Sequence, residues 1–390
     1  MRCFQITEKK LLHNLLDRKK PAGEEVEKAS SSSTDNDAIV GFGYGQKKRW
    51  QILFWARDLI WKLGRWNSPE LRKFLDDNKP DLIFQPVYYS SYLNRMALFI
   101  KKYTNAPMVG YISDDCYTLR QFRFSPLYWI DRLLKRRYVK RVIEQCKILY
   151  VISDIQKNEY ENIFNVPCKV LTKMVVFNSV APQWSFNAEN LQLLFAGNIG
   201  AERWKSLETL GKAIERLNDE GYKCHLDIYT PTPLSGKMKR ALIRPNVSVY
   251  PPVPYNKIQL LQQLADIQVH VEGLSLSSRL EVRQSFSTKL VDLFALGKPI
   301  FAIGPSDVAS ISHLLKNDAA IVASDEGMVY EKLKTVFVHP GLLQKYGHKA
   351  YECGQKNHNR RLMQSELVND LHRILKEGET ISSESVVEFC

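Results

Sequence analysis

The sequence predicts an α/β protein built from two doubly wound domains that face each other across a cleft. Short apolar runs alternate with helix-patterned segments from about residue 71 onward, the signature of parallel sheets covered by helices. The alternation stops at 177–190, where Asn, Ser, Pro and Gln cluster, and then restarts. The length, 390 residues, suits two domains of ordinary size.

In chain order, 7–16 reads as a helix and 19–45 as a flexible insert, with four consecutive serines at Ser30 to Ser33 and glycines at 41, 43 and 45. Strands are expected at 81–86, 107–112 and 147–152, with helices at 93–103 and 130–145 between them. Ser153-Asp154 is a good cap for the helix that follows. After the break, strands are expected at 191–196, 224–229, 247–250, 267–271, 299–303 and 319–322, and a helix at 204–218. The expected domains are 1–182 and 183–390, with a last helix near 361–376 packing back on the first. Ligands of such domains bind outside the carboxyl ends of the strands.

Composition narrows the class. No apolar run approaches the ~20 residues a membrane-spanning helix needs. The polar start is no secretory signal. Seven scattered cysteines lack metal-ligand or redox spacing, so the expectation is a cytoplasmic protein with reduced thiols and no metal site. The net charge of +13 is lopsided: 1–182 holds 31 Lys and Arg against 19 Asp and Glu, a net of +12, leaving +1 for 183–390. Such a field attracts polyanions or phosphorylated substrates.

Two stretches carry chemistry. Phe195-Ala-Gly197-Asn-Ile-Gly200 ends a strand, and Arg203 and Lys205 open the next helix. Glycine permits close backbone approach, a helix start offers N–H groups and positive potential, and the two cations suit a diphosphate. In Ser285-Phe-Ser287-Thr288-Lys289-Leu-Val-Asp292, Ser287 or Thr288 can cap a helix closed by Gly297, with Lys289 in its first turn. Asp292, one turn deeper, can accept hydrogen bonds from two ribose hydroxyls. Asp114-Asp115 follow a strand and read as acceptor contacts or as stabilisers of a developing positive charge, a solvated loop being the plain alternative. A lone His270 reads as a packed residue.

These stretches resemble the retaining glycosyltransferases of family 4 with the GT-B fold, especially the branch that builds bacterial capsule and exopolysaccharide. The resemblance covers roughly 191–376. It implies that Arg203 holds a donor phosphate, that Asp292 stands where the family has the second of two glutamates eight apart, and that Gly297-Lys298-Pro299 closes the motif. Gln284 stands at the place of the first glutamate, a departure for which Glu272 or Glu281 are candidate substitutes. The run Ser285 to Lys289 is similar to a variant in the capsule branch. The first half matches loosely, and the expected opening strand and glycine-rich loop are missing, which implies either an N-terminally shortened first domain or a first unit supplied from elsewhere. Ser113-Asp114 takes the place of the family's His-Asp.

The implied reaction moves a hexose or N-acetylhexosamine from a nucleotide-sugar, UDP- or GDP-linked, to a glycan or a polyprenyl-pyrophosphate-linked acceptor, without a tightly bound cofactor or catalytic metal. Donor binding falls to Gly197, Gly200, Arg203, Lys205, Ser287, Thr288, Lys289 and Asp292, and catalysis to Asp114, Asp115 and Glu281. A catalytically inactive sugar-nucleotide-binding or polysaccharide-assembly partner is the alternative reading, ahead of a nucleic-acid-binding protein. Nucleic acid is not an expected partner, since no recognised module is present. Two basic, aromatic-rich segments, 50–66 and 119–147, instead suit an anionic membrane surface with tryptophans at headgroup level, placing the protein peripherally on the inner face.

Overall fold

The computed structural model describes residues 2–27, 51–121, 123–187 and 189–387, without side chains at 27, 51–54 and 378–387. Most of the predicted 19–45 insert, Trp50 and Phe122 lie outside the described residues. The strands are β1 (Arg2–Ile6), β2 (Gly23–Glu27), β3 (Ile83–Pro86), β4 (Met108–Ile112), β5 (Cys146–Val151), β6 (Cys168–Val170), β7 (Leu191–Ala196), β8 (Cys224–Tyr229), β9 (Val247–Tyr250), β10 (Ile267–Val271), β11 (Ile300–Ile303) and β12 (Ile321–Ala323). They form a six-stranded sheet ordered β12-β11-β10-β7-β8-β9, a four-stranded sheet ordered β3-β4-β5-β6, and a separate β1-β2 pair.

Every pairing resolved within the six-stranded sheet is parallel. Its apolar runs are buried on both faces: all four residues of β11 and all five of β10 are buried. Strand order reverses between β7 and β10, which leaves a crevice at their carboxyl ends. Helix Arg203–Asp219 presents Leu207, Leu210, Ile214 and Leu217 to this core at i, i+3, i+7 spacing.

The start of the chain departs from expectation. A strand, Arg2–Ile6, precedes helix Glu8–Leu16, and part of the expected insert, Gly23–Glu27, is its antiparallel partner. Helix patterning hid the first strand because it is only five residues long and half exposed. Neither strand joins a parallel sheet. Thr7 caps the helix through the amide of Lys10, and Ser153 caps helix Asp154–Phe164 through that of Gln156.

By compactness the chain divides into two units, residues 1–111, 125–148 and 378–390, and residues 112–124 and 149–377. In the first, Trp61 and Trp66 are buried with Leu11, Leu71 and Leu75. Trp61 stacks on Tyr92 at 4.2 Å between centroids, and Trp66 meets Phe99 edge-on. These two tryptophans are core residues and not the headgroup-level anchors expected from the sequence, because a large aromatic gains more from full burial than from an interface. In the second unit, helix Arg360–Val387 is tied down by Asp370, which accepts from Tyr150 at 3.0 Å and from Lys169 at 2.6 Å. No helix among the described residues is long and apolar enough to cross a membrane.

The second unit also packs together two neutral histidines, the buried His358 and the half-buried His313, whose Nε2 atoms lie 3.3 Å apart beside Phe286 and Phe294. Burial pulls His313 down from 6.5 to about 4 and His358 from 6.5 to about 3. The unfolded chain therefore binds more protons than the native one below the ordinary histidine range. Stability should be complete above pH 6.5 and decline as pH falls toward 4. Urea midpoints measured across that window check this, and a midpoint that does not fall contradicts it.

Candidate active site

β7 ends at Ala196, and the chain turns through 197–202 into helix Arg203–Asp219. The turn is tight: Ala201 and Glu202 take left-handed backbone angles, φ 49° and 60°. It is pinned by Ser278, whose hydroxyl donates to the Ala201 carbonyl at 2.5 Å, and by Thr232, which accepts the Ile199 amide. Gly197 has a specific reason to be glycine. A Cβ there would lie 2.1 Å from Lys289 Nζ, so its absence gives the ammonium room beside the strand end.

Residues from both predicted stretches converge. Arg203, Ser287, Thr288 and Lys289 line one pocket of about 290 Å3 at the carboxyl ends of β7 and β10, together with Asn198 and Glu272. Arg203 is held by Glu272, with Nε 2.9 Å and Nη2 2.8 Å from Oε2. Glu272 is 2% exposed, and its backbone carbonyl accepts from Ser206 at 2.7 Å. Burial alone would raise its carboxyl, but His270 and Arg203 outweigh that and hold it below the ordinary range. Lys289 is exposed as a residue, while its ammonium, lodged beside Gly197, is lowered by desolvation and then by Arg203. An anion arriving here would relieve that repulsion.

Two residues of the pocket lining carry polar atoms without hydrogen-bond partners, Gln268 Oε1 and His270 Nε2. Gln268 is 1% exposed, and its amide nitrogen donates to the Gln262 carbonyl at 2.8 Å, which fixes the direction of its oxygen. His270 Nε2 stands 3.5 Å from Glu272 Oε1, close enough for charge interaction and too poorly placed for a hydrogen bond. Buried orphan polar atoms cost about 1–3 kcal/mol each, so a ligand or water that meets them is rewarded.

Lys205, Gly200, Asp292, Asp114, Asp115 and Glu281 do not line this pocket. Lys205 pairs with Glu202 at 2.6 Å, and the Gly200 amide donates to Asn198 Oδ1 at 2.6 Å. Asp292 is gripped by Lys173, with oxygens 2.5 and 2.7 Å from Nζ. Thr288 occupies the cap position of helix Lys289–Ala295 but makes no capping bond through its side chain. The Ser287 amide donates to Ser310 Oγ at 2.9 Å, which leaves anion contact to side chains and the remaining amides. Asp115 accepts from the amides of Tyr117 and Thr118 and from Gln121, and so shapes its own loop. Asp114 is exposed, and Glu281 lies 3.4 Å from Arg123. No group of His, Cys, Asp or Glu that could hold a metal is present among the described residues.

The structure gives Gln284 a physical context that spacing cannot. It is 2% exposed; its amide donates to Glu159, and its backbone carbonyl accepts from Ser153 at 2.7 Å. Glu159 also takes Arg283, through Nη2 at 2.8 Å, and Arg120 at 2.9 Å. Burial would raise the Glu159 carboxyl, but Arg283 and then Gln284 and Arg120 pull it below the ordinary range. Glu159 sits mid-helix in an unremarkable polar run, and only its distant partners mark it. A carboxylate at 284 would face Glu159 directly. Gln284→Glu should therefore destabilise the native state by about 1–3 kcal/mol at neutral pH, with the deficit relative to the parent shrinking under acid. Denaturant melts of both proteins at two pH values check this; an unchanged midpoint at neutral pH contradicts it.

No family model and no curated protein matches the sequence. Solved structures do. Sucrose-phosphate synthase from Thermosynechococcus elongatus superposes with a TM-score of 0.58 at 13% identity, over 82% of this chain and 79% of that one. The α,α-trehalose 6-phosphate synthase from Burkholderia multivorans gives 0.56 at 9%, over 82% and 80%. TarM from S. aureus gives 0.55 at 13%, over 76% and 57%. At these identities the likeness is one of fold: the chain has the α/β fold with parallel sheets found in the GT-B glycosyltransferases.

Proposed function

We propose that the protein is a glycosyltransferase that moves a hexose or N-acetylhexosamine from a nucleotide-sugar to a glycan or lipid-linked glycan, with retention, in cytoplasmic polysaccharide assembly. The observation that carries this reading is the convergence of Arg203 and Lys289 on one pocket at the strand ends. Two cations there would stabilise the diphosphate as the glycosidic bond breaks and negative charge develops on the leaving oxygen. Glu272 spends Arg203 Nε and Nη2, which fixes the guanidinium and leaves Nη1 for an oxyanion. The fold supports the same reading. Among similar structures are a UDP-forming trehalose-phosphate synthase and a pneumococcal O-GlcNAc transferase solved with UDP and GlcNAc.

In this proposal residues 183–390 hold the donor and 1–182 the acceptor, with Asp114 and Asp115 on the acceptor side and Glu281 near the transferred sugar. The nucleoside lies against Gln268 and His270 of the pocket lining, its polar edge meeting Gln268 Oε1 and His270 Nε2. A nucleotide-binding partner without transferase activity is the second reading, favoured by the buried amide of Gln284 in place of an acid. Donor binding without transfer or donor hydrolysis would select it.

A thermal-shift screen of UDP-, GDP- and ADP-sugars should find at least one that raises the melting temperature. Lys289→Ala should weaken that ligand by about 10–100-fold, the worth of a charge-assisted contact. Arg203→Ala should do the same but also strand Glu272, so Lys289→Ala is the cleaner variant. Calorimetric titration showing unchanged affinity in both would remove the assignment. Gln268→Leu should narrow the gap between nucleotide bases by about tenfold, read as a ratio of dissociation constants.

A further inference from the structure

The first compact unit carries a surface that the donor pocket does not use. Helices Gln51–Leu63, Ser91–Thr104 and Pro126–Ile143 border a groove of about 490 Å3. Its floor is polar, and its two acids, Asp58 and Asp131, both pair with the buried Lys135. Asp131 accepts from Trp55 Nε1 at 3.0 Å, from the Tyr89 hydroxyl at 2.9 Å and from Lys135, and Lys135 also reaches Asp58 at 3.5 Å. The floor acids are thus spent on a buried lysine and leave the rim cations unneutralised.

The walls are apolar and open to solvent. Leu59, Ile130 and Leu134 line the groove at 53%, 50% and 53% exposure, and Leu63, Leu127 and Leu133 continue the apolar face beyond it. On helix Pro126–Ile143, Leu127, Ile130 and Leu134 form one stripe at i, i+3, i+7, and Arg137 and Arg141 extend the same stripe. The rim is cationic: Lys62, Arg95, Arg137 and Arg141 all border the groove, and none has a carboxylate partner among the described residues. Arg95 lies over the Trp66 ring at 5.8 Å and Arg141 over Tyr138 at 5.9 Å, contacts that orient the guanidinium groups without cancelling their charge.

We propose that this face docks on an anionic lipid leaflet, with Leu59, Ile130 and Leu134 entering the headgroup–acyl boundary and the four rim cations holding lipid phosphates. A second copy of the chain is a poor occupant, since pairing like faces would set these cations against one another. Nucleic acid would leave the exposed leucines in water. An anionic bilayer is the partner that takes apolar stripe and cations together. The proposal is independent of the donor-site reading.

The test is flotation of the full chain with vesicles of phosphatidylcholine alone and of phosphatidylcholine mixed with phosphatidylglycerol. Binding should require the anionic lipid and weaken with salt. Arg137→Gln with Arg141→Gln should weaken it about thirtyfold, the worth of two cations at a charged leaflet. Ile130→Ser with Leu134→Ser should cost about tenfold at unchanged charge. All four positions are exposed, so melting temperature and nucleotide affinity should stay at the parent values, which separates failure here from failure at the donor pocket. Equal flotation with neutral vesicles, no flotation with either, or indifference to the arginine pair overturns the proposal. So does a gel shift with single-stranded RNA at physiological salt that the arginine pair abolishes while flotation persists.

Discussion

The candidate site depends on a carboxylate buried where strand β10 gives way to its loop. Glu272 is almost wholly shielded from water, yet it stays ionised because Arg203 and His270 lie against it. A buried charge is tolerated only when paired and hydrogen-bonded, and breaking such a pair costs several kcal/mol. The pairing works in both directions. It keeps Glu272 charged, and it holds the Arg203 guanidinium at the mouth of the crevice with part of its hydrogen-bonding capacity unspent. Without that counter-charge, Arg203 and the Lys289 ammonium would repel more strongly across one small pocket.

A second polar knot, around Glu159, explains the residue that fits the family pattern least. Arg283, Gln284 and Arg120 all converge on that carboxylate. An amide at 284 can donate to it, whereas a glutamate would add like charge in a buried place. Asp292 is likewise committed, to Lys173. Two positions that the family resemblance marks as acids of a donor motif are therefore members of networks linking 284 and 292 to residues far earlier in the chain. Whether a donor draws Asp292 from Lys173 is a question of relative hydrogen-bond strength, which a ribose diol must win against a full ion pair.

Much of the fold was legible because buried parallel strands are continuous apolar runs. The six strands of the larger sheet stand within two residues of where alternation places them. β1, β2 and β6 escaped because they are short, and because a strand half open to water carries polar residues that blur its period. The convergence of 203 with 287–289 could be anticipated because both follow strands at the reversal of sheet order. The partners of Glu159 and Asp292 could not, since ion pairs between residues more than a hundred positions apart leave no local pattern. Trp61 and Trp66 show the opposite error. Aromatic residues among cations look interfacial, but burial depends on what packs over them, here Tyr92 and Phe99.

The central claim is that two cations in one pocket await a diphosphate. Lys289 in the free protein has its proton affinity lowered by desolvation and by Arg203. A diphosphate beside it must restore that affinity, so binding in the alkaline range should take up protons. Calorimetric titration of UDP in two buffers of different ionisation enthalpy measures this directly. The account predicts net proton uptake that vanishes in Lys289→Ala; binding with no proton uptake, or uptake that survives the substitution, would contradict it.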